Sequence, residues 1–187
     1  MLSLTSLWMP IVLTSVLIFF ASSLIHMVFK WHNSEYRKLP NEDEVRAVIN
    51  KAQLVPGQYV MPHCLDGSDF KKPELQQKFV EGPIAFLVLR QSGMPKMGKQ
   101  LGQWFAFTLA LAAVVGCLAA CVLPAGAGRH AVFHLVAMVT LLAYGSGSVV
   151  NSIWMGRPWS ATAKELLDAA IYAGLSGAAF AWLWPAA

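Results

Sequence analysis

Four apolar stretches, residues 7–29, 101–123, 131–150 and 161–184, leave this chain few folds to choose from. Each is close to the ~20 residues that a helix needs to cross the hydrocarbon core of a bilayer. In lipid every backbone N–H and C=O must find its partner within the protein, so a lone stretch of this length crosses as a helix. The expected fold class is therefore an all-α membrane protein, a four-transmembrane-helix bundle. A polar insert interrupts it between spans one and two and is expected to form a small α+β cytoplasmic cap. The layout reads as residues 1–30 for the first span, 31–100 for the cap and 101–187 for spans two to four.

Charge orients the bundle. Only 13% of residues are charged, against ~25% in soluble proteins. Of the 14 Lys and Arg, 11 lie between Lys30 and Lys99. Two spans separate the insert from the connection carrying Arg157 and Lys164, so both lie on one side of the membrane. Together they hold 13 of the 14 basic residues, leaving Arg129 alone on the other side. The positive-inside rule then puts residues 31–100 in the cytoplasm and both termini outward. Tryptophans give the same two surfaces: Trp31, Trp104, Trp154 and Trp159 at one, Trp8, Trp182 and Trp184 at the other. The insert also carries eight acidic residues, so the pI near 9.1 reflects topology and not a nucleic-acid surface. The opening residues MLSLTSLWMP lack a basic n-region, which argues for a retained span over a cleaved leader. The three cysteines suggest no disulfide framework.

Within the insert, Asn41 and Glu44 read as a capping box opening a helix to about Ala52. Pro56-Gly57 reads as a turn, and residues 58–61 and 84–90 as strands. Residues 73–81, with proline at the first position, read as a second helix. Thr162 and Glu165 read as a capping box for span four. Two small-residue rows, Ala112, Gly116, Ala120 and Ala170, Gly174, Ala178, are expected to let helices approach closely.

Three constellations could carry chemistry. The first is polar and inside the spans. Ser15, Ser22 and His26 share a face of span one; Tyr144, Ser148 and Asn151 share one of span three; Asp168, Tyr172 and Ser176 share one of span four. An ionisable group inside a span costs ~2.5–3.5 kcal/mol on insertion scales and so faces the bundle with a partner. His26 is the expected partner of Asp168, in a binding site completed by Tyr144, Ser148, Asn151 and Tyr172. The competing reading is a packing network, with Lys164 pairing Asp168 one turn away. The second constellation is Cys117, Cys121, His130 and His134, two i, i+4 pairs on neighbouring spans, chemically suited to zinc or copper. The third is Met61, His63 and Cys64, with His32 near the same surface, again of soft-metal type. His26 and His32 are six apart, a third of a turn off a shared helical face, and make a poor chelating pair on one helix. Nothing in the chain matches a P-loop, a dinucleotide glycine fingerprint, H-E-x-x-H or a C-x-x-C-H haem site.

The runs SSLIHMVFKWHNSEYRKLPNEDEVR, PGQYVMPHC and SIWMGRPW resemble a group of four-span bacterial inner-membrane proteins that carry no assigned function. The likeness covers nearly the whole chain and implies architecture and a bacterial inner-membrane location, but no cofactor and no site residues. The leading functional expectation is a non-enzymatic accessory or assembly protein, associating with itself or with a larger membrane complex. The alternatives are a small-molecule or lipid-headgroup site at the polar cluster, and copper or zinc handling.

Overall fold

A computed structural model describes residues 2–64 and 66–187. Four helices in it are long and apolar enough to cross a membrane: Leu4–Phe29, Met97–Val122, Arg129–Met155 and Trp159–Leu183. The chain is a multi-pass membrane protein. It divides into two compact units, one of residues up to Arg37 together with Lys96–Ala187, the other Lys38–Pro95.

The first unit is the bundle. Span one starts as a 3₁₀ turn at Leu4–Leu7, capped by the Ser3 hydroxyl, which accepts from the Ser6 N–H at 3.3 Å. It continues as α1 (Trp8–Ser23) and ends in a π-helical turn, Leu24–Phe29. Lys30 then takes a left-handed conformation, φ 52°, and its N–H reaches back to the Ile25 carbonyl at 2.9 Å. A non-glycine residue at positive φ is uncommon and here turns the chain sharply. The short 3₁₀ helix Trp31–Glu35 follows and packs on span four. Residues 31–37 therefore belong with the bundle and not with the insert.

Spans two, three and four are α4 (Met97–Val122), α5 (Arg129–Met155) and α6 (Trp159–Leu183). Helix α1 packs on α4 and α6, and α5 packs on α6 and more lightly on α4, so the four close into a ring in the order α1, α4, α5, α6. The link between α4 and α5 is tied to the chain's last residues. Gly126 N–H donates to Pro185 O at 2.9 Å, and Trp184 Nε1 donates to Pro124 O at 2.9 Å. Gly126 is at φ 72° against Ala187, a position that suits glycine alone.

At this end of the bundle the interior is apolar: Leu7, Ile11, Val115, Ala119, Val132, Val136 and Phe180. Gly116 is part of it. A Cβ there would lie 3.2 Å from the Phe180 ring and 3.4 Å from Ile11, so the row Ala112, Gly116, Ala120 packs inward as expected. The row on α6 does not. Ala170 and Ala178 are exposed and Gly174 has open space around it. The helix turns its neighbouring row, Ala169, Ala173 and Gly177, to the core. A Cβ on Gly177 would meet Phe133 at 2.9–3.0 Å, and one on Gly145 would meet Leu166 at 2.9 Å. These glycines set the close approach of α5 to α6.

The second unit holds α2 (Glu42–Lys51), β1 (Gly57–Met61), α3 (Pro73–Glu81) and β2 (Ala85–Leu89). The strands pair antiparallel, with Gly57 opposite Leu89 and Met61 opposite Ala85. Neither helix buries a residue fully, as expected of a unit too small for a generous core. The Asn41 side chain does not cap the α2 backbone but bonds Glu44 at 3.2 Å.

Packing at the two α6 glycines generates a paired test. Gly177→Leu places a branched side chain into the Phe133 ring and backbone, an overpacking worth ~1–3 kcal/mol or more. The detergent-solubilised protein should lose several degrees of Tm. Gly174→Leu should leave Tm unchanged. Equal effects at the two positions would refute the rotation of α6 described above.

Candidate functional site

At the other end of the bundle the interior is polar, and Asp168 is its centre. The residue is 5% exposed, two turns into α6. A carboxylate this deep needs donors for both oxygens. Trp31 Nε1 donates to Oδ1 at 3.2 Å and His32 Nε2 bonds Oδ2 at 2.7 Å. Both partners come from the 3₁₀ turn after Lys30, so the left-handed kink is what delivers them.

His26 sits beside this pair without bonding Asp168 directly. Its Nδ1 lies 2.9 Å from Ser22 O, and its ring stacks on that of His32, centroids 4.8 Å apart and planes 8° from parallel. The expected His26–Asp168 contact is thus replaced by a His32–Asp168 contact. The expected helical offset between His26 and His32 also fails, because the helix ends between them. One ligand-type atom from each of His26, His32 and Asp168 lies within 4.8 Å of the other two, the one such group of three among the described residues.

A ring of ion pairs holds the turn in place. Lys164 donates to Trp31 O at 2.9 Å, to Ser34 Oγ at 2.6 Å and to Glu35. It therefore serves Glu35 and not Asp168. Ser160 donates to Glu35 at 2.6 Å. The Lys164 and Ser160 hydrogen bonds hold the Glu35 carboxyl below its usual range. Glu35 is therefore ionised, and its contacts are kept, at all but acidic pH. Glu165 pairs with Arg157 across the α5–α6 connection. Thr162 lies buried inside the first turns of α6, which Pro158 opens, and bonds Ser152 and Ser148 O. The expected Thr162–Glu165 capping box is thus absent.

A cleft of about 400 Å³ opens beside the three groups, lined by Ser22, His26, Trp104, Tyr144, Asp168 and Tyr172, with Phe107, Ala143, Glu165 and Ala169 completing its wall. Tyr144 packs edge-on against Tyr172, Phe107 and Trp104, with centroids at 5.2, 6.0 and 6.1 Å. The Trp104 indole N–H and the Tyr144 hydroxyl are buried and make no hydrogen bond.

Of the expected binding residues, His26, Tyr144, Asp168 and Tyr172 therefore meet around one cleft. Ser148 is buried behind it and donates to Gly145 O at 2.7 Å. Asn151 is exposed near the end of α5, where its carbonyl accepts from the backbone of the following turn. Ser15 and Ser176 are spent on their own helices, donating to Ile11 O and Tyr172 O. Cys117 and Cys121 are exposed on α4. His130 and His134 are exposed on α5 with their Nε2 atoms 2.9 Å apart, and the four do not gather into one group. In the insert, Cys64 Sγ donates to Asp66 O at 3.3 Å. His32 and Trp31 are the site residues that sequence periodicity misses. Their one signal is the polar run KWHNSE directly after an apolar span. No family model, curated protein or solved structure matches the chain.

Proposed function

We propose that this membrane protein binds a small amphiphile in the cleft beside Asp168, taking the ligand's acceptor oxygens on Trp104 and Tyr144. The observation that carries the reading is the pair of buried, unpartnered donors, Trp104 Nε1 and Tyr144 OH, at one cleft. A buried donor without a partner costs ~1–3 kcal/mol. A bound carbonyl, ester or phosphate oxygen would recover that energy. Aromatic walls suit the apolar body of such a molecule, and His26 and Asp168 supply the polar end.

The test follows from the same energetics. Neither donor has a partner among the described residues, so Tyr144→Phe should leave Tm unchanged or raise it, whereas Trp104→Phe also removes packed ring volume and should lower Tm modestly. Each should weaken ligand binding about tenfold, as read by mass spectrometry of the molecule that copurifies and by thermal shift with a short-chain quinone or a lysophospholipid. A wild-type protein with no copurifying small molecule and no shift with either probe would refute the reading.

The basic asymmetry supports an orientation with residues 31–100 cytoplasmic and both termini outward, and the resemblance to four-span bacterial proteins supports an inner-membrane location. A cysteine placed at Lys71 should be protected from impermeant thiol reagents in intact cells, and one placed after Trp184 should react. Labelling at Lys71 from outside would reverse the orientation.

A second reading, as an accessory protein that associates with itself or a larger membrane complex, is supported by the open row Ala170, Gly174, Ala178. Gly174→Leu, harmless to the monomer, should then shrink the mass of the detergent-extracted complex. An unchanged mass would leave the row facing lipid.

A further inference from the structure

We infer that His26, His32 and Asp168 form a binding site for one divalent transition-metal ion at the membrane surface. This goes beyond the amphiphile reading: the two sites share His26 and Asp168, but the metal site uses neither the Trp104 nor the Tyr144 donor that carries that reading. Two imidazoles and a carboxylate are the donor set of zinc, cobalt and iron(II), and too rich in nitrogen for magnesium or calcium.

The outer contacts are those a metal site needs. A carbonyl can only accept, so the 2.9 Å contact from His26 Nδ1 to Ser22 O places the proton on Nδ1. In the neutral ring the Nε2 lone pair is then free for an ion. Trp31 Nε1 holds Asp168 Oδ1 at 3.2 Å, which leaves Oδ2 as the ligand atom. Such partners fix ring and carboxylate orientation and strengthen the ligands. Local charge favours a cation. Glu35 and Glu165 are neutralised by Lys164 and Arg157, and Asp168 has no Lys or Arg partner in an ion pair among the described residues, so its charge is left for a cation.

The geometry is that of a site before loading. Ligand atoms on one ion at ~2.1 Å lie roughly 3.4 Å from one another. The group's widest spacing is 4.8 Å and its narrowest, His32 Nε2 to Asp168 Oδ2, is 2.7 Å. Loading breaks that hydrogen bond: the His32 proton leaves Nε2, in the neutral ring by a shift to the Nδ1 tautomer, and Nε2 and Oδ2 then each bond the ion. It also turns one imidazole out of the stack, because nearly parallel rings aim their lone pairs side by side. His26, the exposed member of the stack, is the ring that turns. Three protein ligands leave a coordination position open, as in catalytic and not structural zinc sites. His26 and Asp168 both line the cleft, so that position lies on its side.

The experiment uses the full chain in detergent, purified through a tag free of histidine, stripped with chelator and titrated with Co²⁺ or Zn²⁺ alone. Wild type should retain one ion per chain after desalting and show cobalt d–d absorption. His26→Ala removes a side chain that supports no buried partner, so it should fold normally and bind at least tenfold more weakly. His32→Gln and Asp168→Asn should also bind at least tenfold more weakly, but each disturbs a buried pair and lowers Tm, so His26→Ala carries the test. Trp31→Phe should weaken binding by about tenfold through Asp168 alone. His130→Ala and His134→Ala serve as controls and should not change it. Wild type folded by Tm but retaining no stoichiometric ion would overturn the proposal. So would retention that survives His26→Ala and His32→Gln yet is lost in the His130 and His134 variants. Loss of ion binding with amphiphile binding intact, or the reverse, separates this site from the cleft reading.

Discussion

The carboxylate of Asp168 is the group to which the polar end of this protein answers. A carboxylate in a span costs ~2.5–3.5 kcal/mol at the helix centre unless it is paired or hydrated. Here Asp168 is 5% exposed, and the chain supplies a neutral N–H from Trp31 and an imidazole from His32. Neither is on a facing transmembrane helix. Both lie on a turn that exists because span one ends in a π-helical turn and Lys30 adopts φ 52°. The strained residue is offset by what it permits: two hydrogen bonds to a buried charge, plus the Lys164–Glu35 pair that clamps the turn to α6. Breaking one partner of such a network leaves the other uncompensated, so its members stand or fall together.

Packing explains why polar chemistry collects at one end. At the apolar end Gly177 brings α6 onto the ring and carbonyl of Phe133 on α5, and Gly116 seats Phe180 against α4 and α1. The apolar half therefore closes fully around Phe180, which is 0% exposed. Towards Asp168 the contacts are made by long aromatic side chains, Trp104, Tyr144 and Tyr172. Rings of that size hold helices apart, and the cleft is the space between them. Thr14 and Thr140 also bury hydroxyls without partners, but they line no part of the cleft. Trp104 and Tyr144 differ from them by lining the cleft.

Much of this was legible in the residues. Span lengths follow from hydropathy, and the helix at Pro73–Glu81 begins at the proline and ends before Gly82 as local chemistry dictates. The meeting of His26, Tyr144, Asp168 and Tyr172 follows from depth and the price of burying polar groups. What periodicity could not supply was any contact made after a helix stops. His32 is a third of a turn out of phase with His26 only if the helix continues, and Lys30 ends it. Rotation about a helix axis was equally hidden. Ala170, Gly174, Ala178 and Ala169, Ala173, Gly177 are both small rows, and the bulk of Phe133 on the facing helix selects the second. Capping patterns misled for a related reason: Trp159 starts α6 early enough that Thr162 is already interior, where its hydroxyl serves Ser148 and Ser152.

The two histidine pairs make the closing contrast. His130 and His134 lie one turn apart on a regular helix with their Nε2 atoms 2.9 Å apart, yet no carboxylate approaches them and both are exposed. His26 and His32 have no helical reason to meet. They do so because Lys30 takes a left-handed conformation, with Ser22 O holding one ring and Asp168 bonding the other. Proximity that regular structure produces for free carries little information about a site. Proximity that rests on a left-handed Lys30, is anchored by Lys164 and Glu35 and lies beside unpaired donors is what supports the proposed site.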